Sequence, residues 1–192
     1  NYSHNFSGNI IMKPDTLNYI KISPRFSYNS NDADNQGVID ITQQSLTTLR
    51  NNLSGTNSSS GNLGTNIYYN HRFHKKGRNM SLSTNLNYSN GDSYRNVLNN
   101  YLIRQAGVDS TRIQNQLIAN TNNNFSTWAS ATYMEPIWNK TFVEFNYSYS
   151  HSSTTTDRAT NDIINGNQIF NNDLSNNYEY QFFVFGDAVY KN

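Results

Sequence analysis

Apolar and polar residues alternate one by one along much of this chain. The clearest case is TFVEFNYSYS at residues 141–150, where Val143, Phe145 and Tyr147 alternate with Glu144 and Asn146. Successive side chains of an extended strand point to opposite sides, so strict alternation indicates a strand with one apolar and one polar face. The segment is therefore predicted to be a β-strand with an aromatic face.

Six further runs show the same alternation, which makes seven in all. They cover about residues 2–12, 20–28, 63–71, 80–88, 124–135 and 178–184, and the alternation is weakest in the run at 124–135. Pro24 stands inside the second run and has no N–H to donate. A bulge or a local edge is therefore expected at that position.

The connections between the runs alternate between short and long. The short ones contain the turn sequences KPDT (13–16), HKKGRN (74–79) and EPIWNK (135–140). The long ones are polar and cover about residues 29–62, 90–123 and 152–176. Transmembrane β-barrels combine short periplasmic turns, longer extracellular loops and alternating strands of about ten residues with aromatic girdles.

The segment 93–118 lies within the second long connection and has apolar residues at helix-like spacing, among them Val97, Leu98, Tyr101 and Leu102. Two interpretations stay open: a short helix in an outer loop, or an extended hairpin. The extended hairpin is slightly favoured.

The pattern as a whole predicts an all-β, antiparallel, up-and-down transmembrane β-barrel in the cell outer membrane. Single-chain bacterial barrels have even strand numbers from eight upwards, whereas about seven strands are counted here. Residues 1–192 are therefore interpreted as one partial barrel domain, with a plug and the remaining strands outside this chain.

Each strand would present its apolar face to lipid and its polar face to the barrel lumen. The residues predicted to face lipid are Ile20, Ile22, Phe26, Leu82, Leu86, Val143, Phe145, Tyr147, Phe182 and Val184. The residues predicted to face the lumen are Lys21, Arg25, Asn85, Asn87, Glu144 and Asn146.

Composition agrees with a wall that is apolar on one side only. Hydrophobic residues make up 35% of the 192 residues, and the mean hydropathy is −0.78. The 14% aromatic content argues against a disordered chain, since disordered segments are poor in aromatics. A formal net charge of +1 gives no indication of a nucleic-acid partner.

Candidate chemistry is sparse. The chain has no cysteine, and Glu135, Glu144 and Glu179 are far apart in sequence, so no acid/base pair is indicated. His71 and His74 are three residues apart, which places them on opposite faces of a strand and disfavours a metal pair. The chain is therefore predicted not to be an enzyme and to need no cofactor. The basic cluster at 71–78 is interpreted as a charged turn that touches lipid phosphates.

Three segments carry a resemblance to a known family. GRNMSLSTNLNYSN (77–90), TWASATYMEPIWNKTFVEFNYSYSHSSTTTDRATND (127–162) and DLSNNYEY (173–180) together resemble the outer-membrane β-barrel family related to TonB-dependent receptors of Bacteroidota. The resemblance covers most of residues 64–182. It implies a large plugged barrel that imports scarce ligands with energy from an inner-membrane partner. No plug, TonB box or closing terminal strand is visible in the sequence.

The predicted function is a barrel-wall segment of an outer-membrane receptor or transporter for an unidentified ligand. Its expected partners are outer-membrane lipid, a plug domain and an energising inner-membrane protein. The main alternative is a soluble secreted β-sandwich or adhesin-like binding module that buries its aromatic rows between two sheets. An enzyme embedded in the outer membrane and a small complete barrel with an eighth strand are the remaining alternatives.

Overall fold

A single antiparallel sheet accounts for nearly all of the residues described by the computed structural model, which are 1–43, 46–138 and 141–185. A short 3₁₀ helix, Asn172–Leu174, interrupts it near the end. No helix in these residues is long and apolar enough to cross a membrane. The strands are β1 (Tyr2–Ser7), β2 (Ile10–Met12), β3 (Asn18–Gln43), β4 (Leu46–Arg72), β5 (Asn79–Gln105), β6 (Val108–Trp138), β7 (Thr141–Ile164), β8 (Asn167–Phe170) and β9 (Asn176–Phe185).

The strands occupy seven adjacent lanes in chain order. β1 and β2 lie end to end along β3, and β8 and β9 lie end to end along β7. β3 to β7 pair successively with their sequence neighbours. The predicted all-β, antiparallel, up-and-down arrangement is confirmed. Within the described residues the first and last lanes do not pair with each other, so the sheet is open.

The long polar segments are strand extensions. β5 and β6 remain paired from the turn at residues 73–78 to a two-residue turn at Ala106–Gly107, whose φ values are 49° and 80°. Asn165–Gly166 joins β7 to β8 with φ values of 52° and 80°. Positive φ at both central residues is typical of the tight turns that match strand twist. The segment 93–118 is therefore an extended hairpin, which was the favoured of its two interpretations. The connection between β3 and β4, and residues 139–140 of the turn EPIWNK, lie outside the described residues.

Pro24 produces its irregularity in the neighbouring strand. β3 runs through Pro24 without a break and pairs it with Thr65 on one side. On the other side β1 ends at Ser7 and β2 begins at Ile10, and Gly8 N–H donates to the Pro24 carbonyl at 3.0 Å. Because Pro24 cannot return that bond, pairing stops for two residues opposite it.

The pairing register defines two faces of the sheet, since residues paired across an antiparallel sheet point to the same side. Face A is the side that carries Ile20, Ile22, Phe26, Leu82, Leu86, Val143, Phe145 and Tyr147. Face B is the opposite side, and it carries Lys21, Arg25, Asn85, Asn87, Glu144 and Asn146. Eight residues predicted to share one face therefore do so, and the six predicted for the other face lie opposite them.

Phe182 and Val184 were wrongly grouped with those eight, because both lie on face B. Phe182 pairs with Ser152, in the same row as Asn87 and Arg25. The cause is an insertion between β8 and β9, where residues 171–175 lie opposite only Ala159 and Thr160. Five residues opposite two leave three extra residues in this strand. Because three is an odd number, the alternation in β9 is reversed relative to β8, and every side chain of β9 points to the opposite face from the one that unbroken pairing would give.

The insertion is held in place by Thr160, whose residue surface is 0% exposed. Its hydroxyl donates to the Leu174 carbonyl at 3.0 Å, and its N–H donates to the Ser175 hydroxyl at 2.9 Å. Asn171 N–H in turn donates to the Thr160 carbonyl at 2.8 Å. The backbone groups that cannot pair with the neighbouring strand at this insertion therefore form hydrogen bonds within the insertion and with Thr160.

The sheet is a single layer, and its few buried side chains lie on one face. The buried residues with side chains on face B are Ser54, Val97, Asn99, Gln116, Ile118 and Thr160. On face A, Phe145 is 54% exposed and Tyr147 is 53% exposed. We infer that face B is concave, since side chains of one layer crowd together only where the sheet bends towards them. A β-sandwich, which needs a second sheet over the aromatic rows, is not formed by these residues.

Candidate functional site

An apolar belt crosses face A near the short-turn end of the sheet. One of its rows runs across five strands and consists of Ile20, Tyr69, Leu82, Ala131 and Tyr147. On β5 the belt extends from Met80 to Tyr88, and the next face-A residues are Asn90 and Asp92. These nine residues match the ~9–11 that a tilted strand needs to cross a bilayer.

Aromatic rings lie at both limits of the belt. Phe26, Tyr88 and Phe125 belong to the row that borders the long hairpins. Tyr133 and His71 belong to the row that borders the short turns. Aromatic side chains of this kind favour the boundary between hydrocarbon and water, where a ring is dry and its polar atom wet.

Directly behind the belt, face B is predominantly polar and internally hydrogen-bonded. The Thr132 hydroxyl donates to Asn146 Oδ1 at 2.7 Å, and Asn146 Nδ2 donates to Glu144 Oε1 at 2.6 Å. Asn85 Nδ2 donates to Asn66 Oδ1 across the neighbouring strand pair. The structure thus brings predicted face-B residues into contact with partners that the sequence did not single out.

Gly64 leaves space on face B for the side chains of Arg25 and Asn87. It is buried on face B between Arg25 and Asn87, its partners in the same row. A Cβ atom at Gly64 would lie 2.9 Å from Arg25 Nε and 2.9 Å from Asn87 Oδ1. The two long side chains therefore occupy the space that a side chain at Gly64 would need.

A ladder of amides covers face B in the long hairpins. Asn52 Nδ2 donates to Asn99 Oδ1 at 2.7 Å, and Asn99 Nδ2 donates to Gln114 Oε1 at 3.3 Å. The Tyr101 hydroxyl donates to the same Gln114 oxygen at 3.1 Å. These groups come from three strands that are 47 and 15 residues apart in sequence, so only strand pairing unites them.

A second polar group continues the ladder towards β8. Gln116 Nε2 donates to one oxygen of Asp162 at 2.8 Å, and Asn171 Nδ2 donates to the other at 2.6 Å. These two hydrogen bonds hold the pKa of Asp162 below its usual range, because they favour the ionised form. Asp162 is therefore ionised at neutral pH and held by two hydrogen bonds on face B.

At the short-turn end, Glu135 is the centre of an ion-pair cluster. Arg78 donates to Glu135 through Nε at 2.7 Å and Nη2 at 2.8 Å, and Lys75 Nζ donates at 2.7 Å. The Tyr133 hydroxyl donates at 2.7 Å. The description of Glu135 as isolated holds for the sequence only, since β6 ends beside the β4–β5 turn. Two cations of the basic cluster at 71–78 are thus paired with Glu135.

Glu135 lies beyond the belt, level with the turn, and its surroundings lower its pKa. The hydrogen bond from Arg78 is the main cause, followed by those from Lys75 and Tyr133. A lowered folded-state pKa contributes stability above the unfolded carboxyl pKa of about 4.3 and loses it as the pH falls towards the folded value.

We expect Glu135→Gln to lower the free energy of unfolding at pH 7 and to have a smaller effect at strongly acidic pH. The measurement is denaturant unfolding of both proteins in the same lipid vesicles at a series of pH values. The difference between the two proteins isolates Glu135 from the other carboxylates. A difference that does not change with pH would contradict the assigned role.

Metal ligation finds no support in the described residues, where no three His, Asp or Glu side chains lie close enough to hold an ion. The absence of catalysis stays a prediction. Sequence reasoning missed the amide ladder because it lies in segments interpreted as loops. The dipeptide Asn165–Gly166 is a hairpin signal that points to paired strands there.

Comparison with known proteins identifies the family. The model of the outer membrane protein β-barrel family matches residues 71–186, which is 116 of the 192 residues. No curated protein sequence matches the chain significantly. The matched region contains most of the apolar belt, the Glu135 cluster and the β5–β6 and β7–β8 hairpins. The chain therefore belongs to the outer membrane protein β-barrel family and resides in the outer membrane.

Proposed function

We propose that this chain forms part of the wall of an outer-membrane receptor or transporter that takes up a hydrophilic ligand. The observation that carries the proposal is a single-layer sheet with an apolar belt on face A. Face B, which we infer to be concave, is predominantly polar from the short turns to the hairpin tips, with apolar residues such as Val97, Ile118 and Phe182 among the polar ones. Face A would meet lipid, and face B would line the path of the ligand or hold a plug.

The open edges of the sheet within the described residues support a larger barrel. Backbone groups left unpaired in hydrocarbon cost several kcal/mol each, so barrels in membranes close. Seven lanes do not make the even number found in single-chain bacterial barrels. Further strands would pair with the β1/β2 lane and with the β8/β9 lane.

A plug domain and an energising inner-membrane partner would complete the transport system, as the resemblance to TonB-dependent receptors implies. In that mechanism the belt anchors the wall, and the hairpins that extend beyond the belt capture ligand outside the cell. The polar rows behind the belt then contact the plug or the ligand as it passes.

The wall is tested with cysteines, because residues 1–192 contain none. Leu82 on face A and Ser83 on face B are neighbours at the same height of β5. We expect Ser83→Cys in the full-length protein to react with a hydrophilic maleimide in detergent-free outer membranes. Leu82→Cys should react only with a lipid-soluble maleimide. Equal reaction of both variants with the hydrophilic reagent would contradict the prediction that face A meets lipid while face B meets water.

The uptake function is tested without knowledge of the ligand. Cells with and without the gene are grown in complex medium, and the solutes that remain in the spent medium are profiled. We expect at least one hydrophilic solute to be depleted by parental cells and spared by the deletion strain, with depletion restored by the wild-type gene. Identical depletion of every detected solute would contradict transport.

A further inference from the structure

The charged residues of the strands divide between the two faces by sign. The cations on face B are Lys21, Arg25, Arg50, Arg72, Arg95, Arg112 and Arg158. The only anions on face B among the described strand residues are Glu144 and Asp162. The anions on face A are Asp32, Asp34, Asp40, Asp92, Asp109, Glu135, Asp157 and Glu179.

Face A has one cation in its described strand residues, Arg104, and Arg104 is already paired. Its Nε lies 2.7 Å from Asp109. A chain whose net charge is only +1 thus presents a strongly cationic concave face and an anionic convex one. The small net charge of the chain therefore gives no indication of the positive electrostatic field on face B.

The arginines on face B of the long hairpins have no anionic partner among the described residues. Within the described part of the chain, the side chains of Arg50, Arg95, Arg112 and Arg158 form no hydrogen bond or ion pair. Arg95, Arg112 and Arg158 are exposed. The Nε of Arg50 is shielded from solvent and has no hydrogen-bond partner. A buried donor without a partner is unfavourable, and a bound ligand that supplies an acceptor would remove that cost.

The register spaces these cations for a ligand with several charges. Arg50 and Arg112 lie in one row with Tyr101 between them, so their Cα atoms are about 10 Å apart at the usual strand spacing. Arg95 and Arg158 lie about 12 Å apart by the same reasoning, with Ile118 and Thr160 in the row of Arg95. Arg25 and Lys21 continue the series behind the apolar belt.

We propose that face B binds and guides multivalent anionic solutes, which carry several carboxylate, sulfate or phosphate groups. The guanidinium groups would attract the charges, and the amide ladder of Asn52, Asn99 and Gln114 would hydrogen-bond to uncharged parts of the same solute. The inference rests on the proposed function, since it names the class of ligand for the concave face. Glu144 and Asp162 carry two negative charges against the seven cations of face B, so the field on this face stays positive.

The test uses the full-length protein in detergent and the trisulfonated dye pyranine as the probe. Binding is followed by fluorescence anisotropy for the wild type and for the triple variant Arg50→Gln, Arg95→Gln and Arg112→Gln. We expect the triple variant to bind about tenfold more weakly, with each exposed charge contributing a modest share. Wild-type binding should weaken as NaCl rises from about 20 mM to about 200 mM, because salt screens exposed charges.

Two controls separate charge from structure. The triple Lys variant at the same positions keeps the charges and should bind within about threefold of the wild type. Arg104→Gln removes a charge from face A and should leave binding unchanged. Equal losses in the Lys and Gln variants, or an equal loss in Arg104→Gln, would overturn the proposal.

Failure of this inference is distinguishable from failure of the proposed function. Absence of pyranine binding at low salt, with the cysteine pattern and the solute depletion intact, would overturn anion binding alone and indicate that protein covers face B. Equal maleimide reactivity of Leu82→Cys and Ser83→Cys would instead overturn the proposal that this sheet forms a barrel wall.

Discussion

Tyr147→Arg is expected to destabilise the protein in a bilayer by about 2 kcal/mol, because the cost of a cation on the lipid side of a barrel rises from about 0–1 kcal/mol near the interfaces to about 2–4 kcal/mol at the midplane. Tyr147 is 53% exposed on face A, one row further into the apolar belt than the boundary row of Tyr133 and Phe145, and no residue described by the structure covers it. An arginine there would have to leave water without gaining a partner.

Asn146→Arg is the matched control, since it introduces the same side chain at the preceding residue of β7. Asn146 lies on face B beside Thr132 and Glu144. An arginine at this position keeps access to water and has Glu144 within reach, so a small change is expected. Denaturant unfolding of the full-length proteins in lipid vesicles gives both values. Equal destabilisation by the two substitutions would show that face A does not meet lipid.

Gly77→Ala is expected to have the second largest effect, a loss of about 1–2 kcal/mol from backbone strain with a steric contribution in addition. Gly77 closes the turn between β4 and β5 with a φ of 87°. A Cβ atom there would lie 2.9 Å from Cε1 of Phe142. The added methyl group therefore has to displace the ring or open the turn that places Lys75 and Arg78 against Glu135.

Gly37→Ala makes the same chemical change without either penalty. Gly37 lies in β3, where a Cβ atom would meet nothing within 4 Å. Alanine is favoured over glycine in a strand by about 0.5–1 kcal/mol, so this variant should be neutral or slightly stabilised. The midpoint of urea unfolding at unchanged slope measures both variants. If the Gly77→Ala protein proved as stable as the Gly37→Ala protein, the conformation of Gly77 would not contribute to the stability of the fold.

Strand position and the facing of most side chains were predictable from local pattern. Alternation of Val143, Phe145 and Tyr147 with Glu144 and Asn146 needs only the geometry of a strand. The turn KPDT was predictable for the same local reason, and Asp15 Oδ1 indeed accepts the N–H groups of Leu17 and Asn18 at 2.8 and 2.7 Å.

The same local rule failed for Phe182 and Val184. Their own alternation is regular, but the face that they occupy depends on the register with β7, and the insertion at 171–175 shifts that register by an odd number of residues. The length of that insertion opposite Thr160 is a property of two paired strands, and no window of a single strand contains it.

The sequence by itself determined that this protein is an antiparallel sheet with an apolar and a polar side, because side-chain alternation is a property of each strand alone. Tertiary structure decided which charges meet. It joined Glu135 to Arg78 and Lys75 across 57 and 60 residues, and it collected the unpaired arginines on the concave face. The physical reason is that electrostatic and hydrogen-bonding partners in a sheet are set by register between strands, which the long hairpins establish only when they pair.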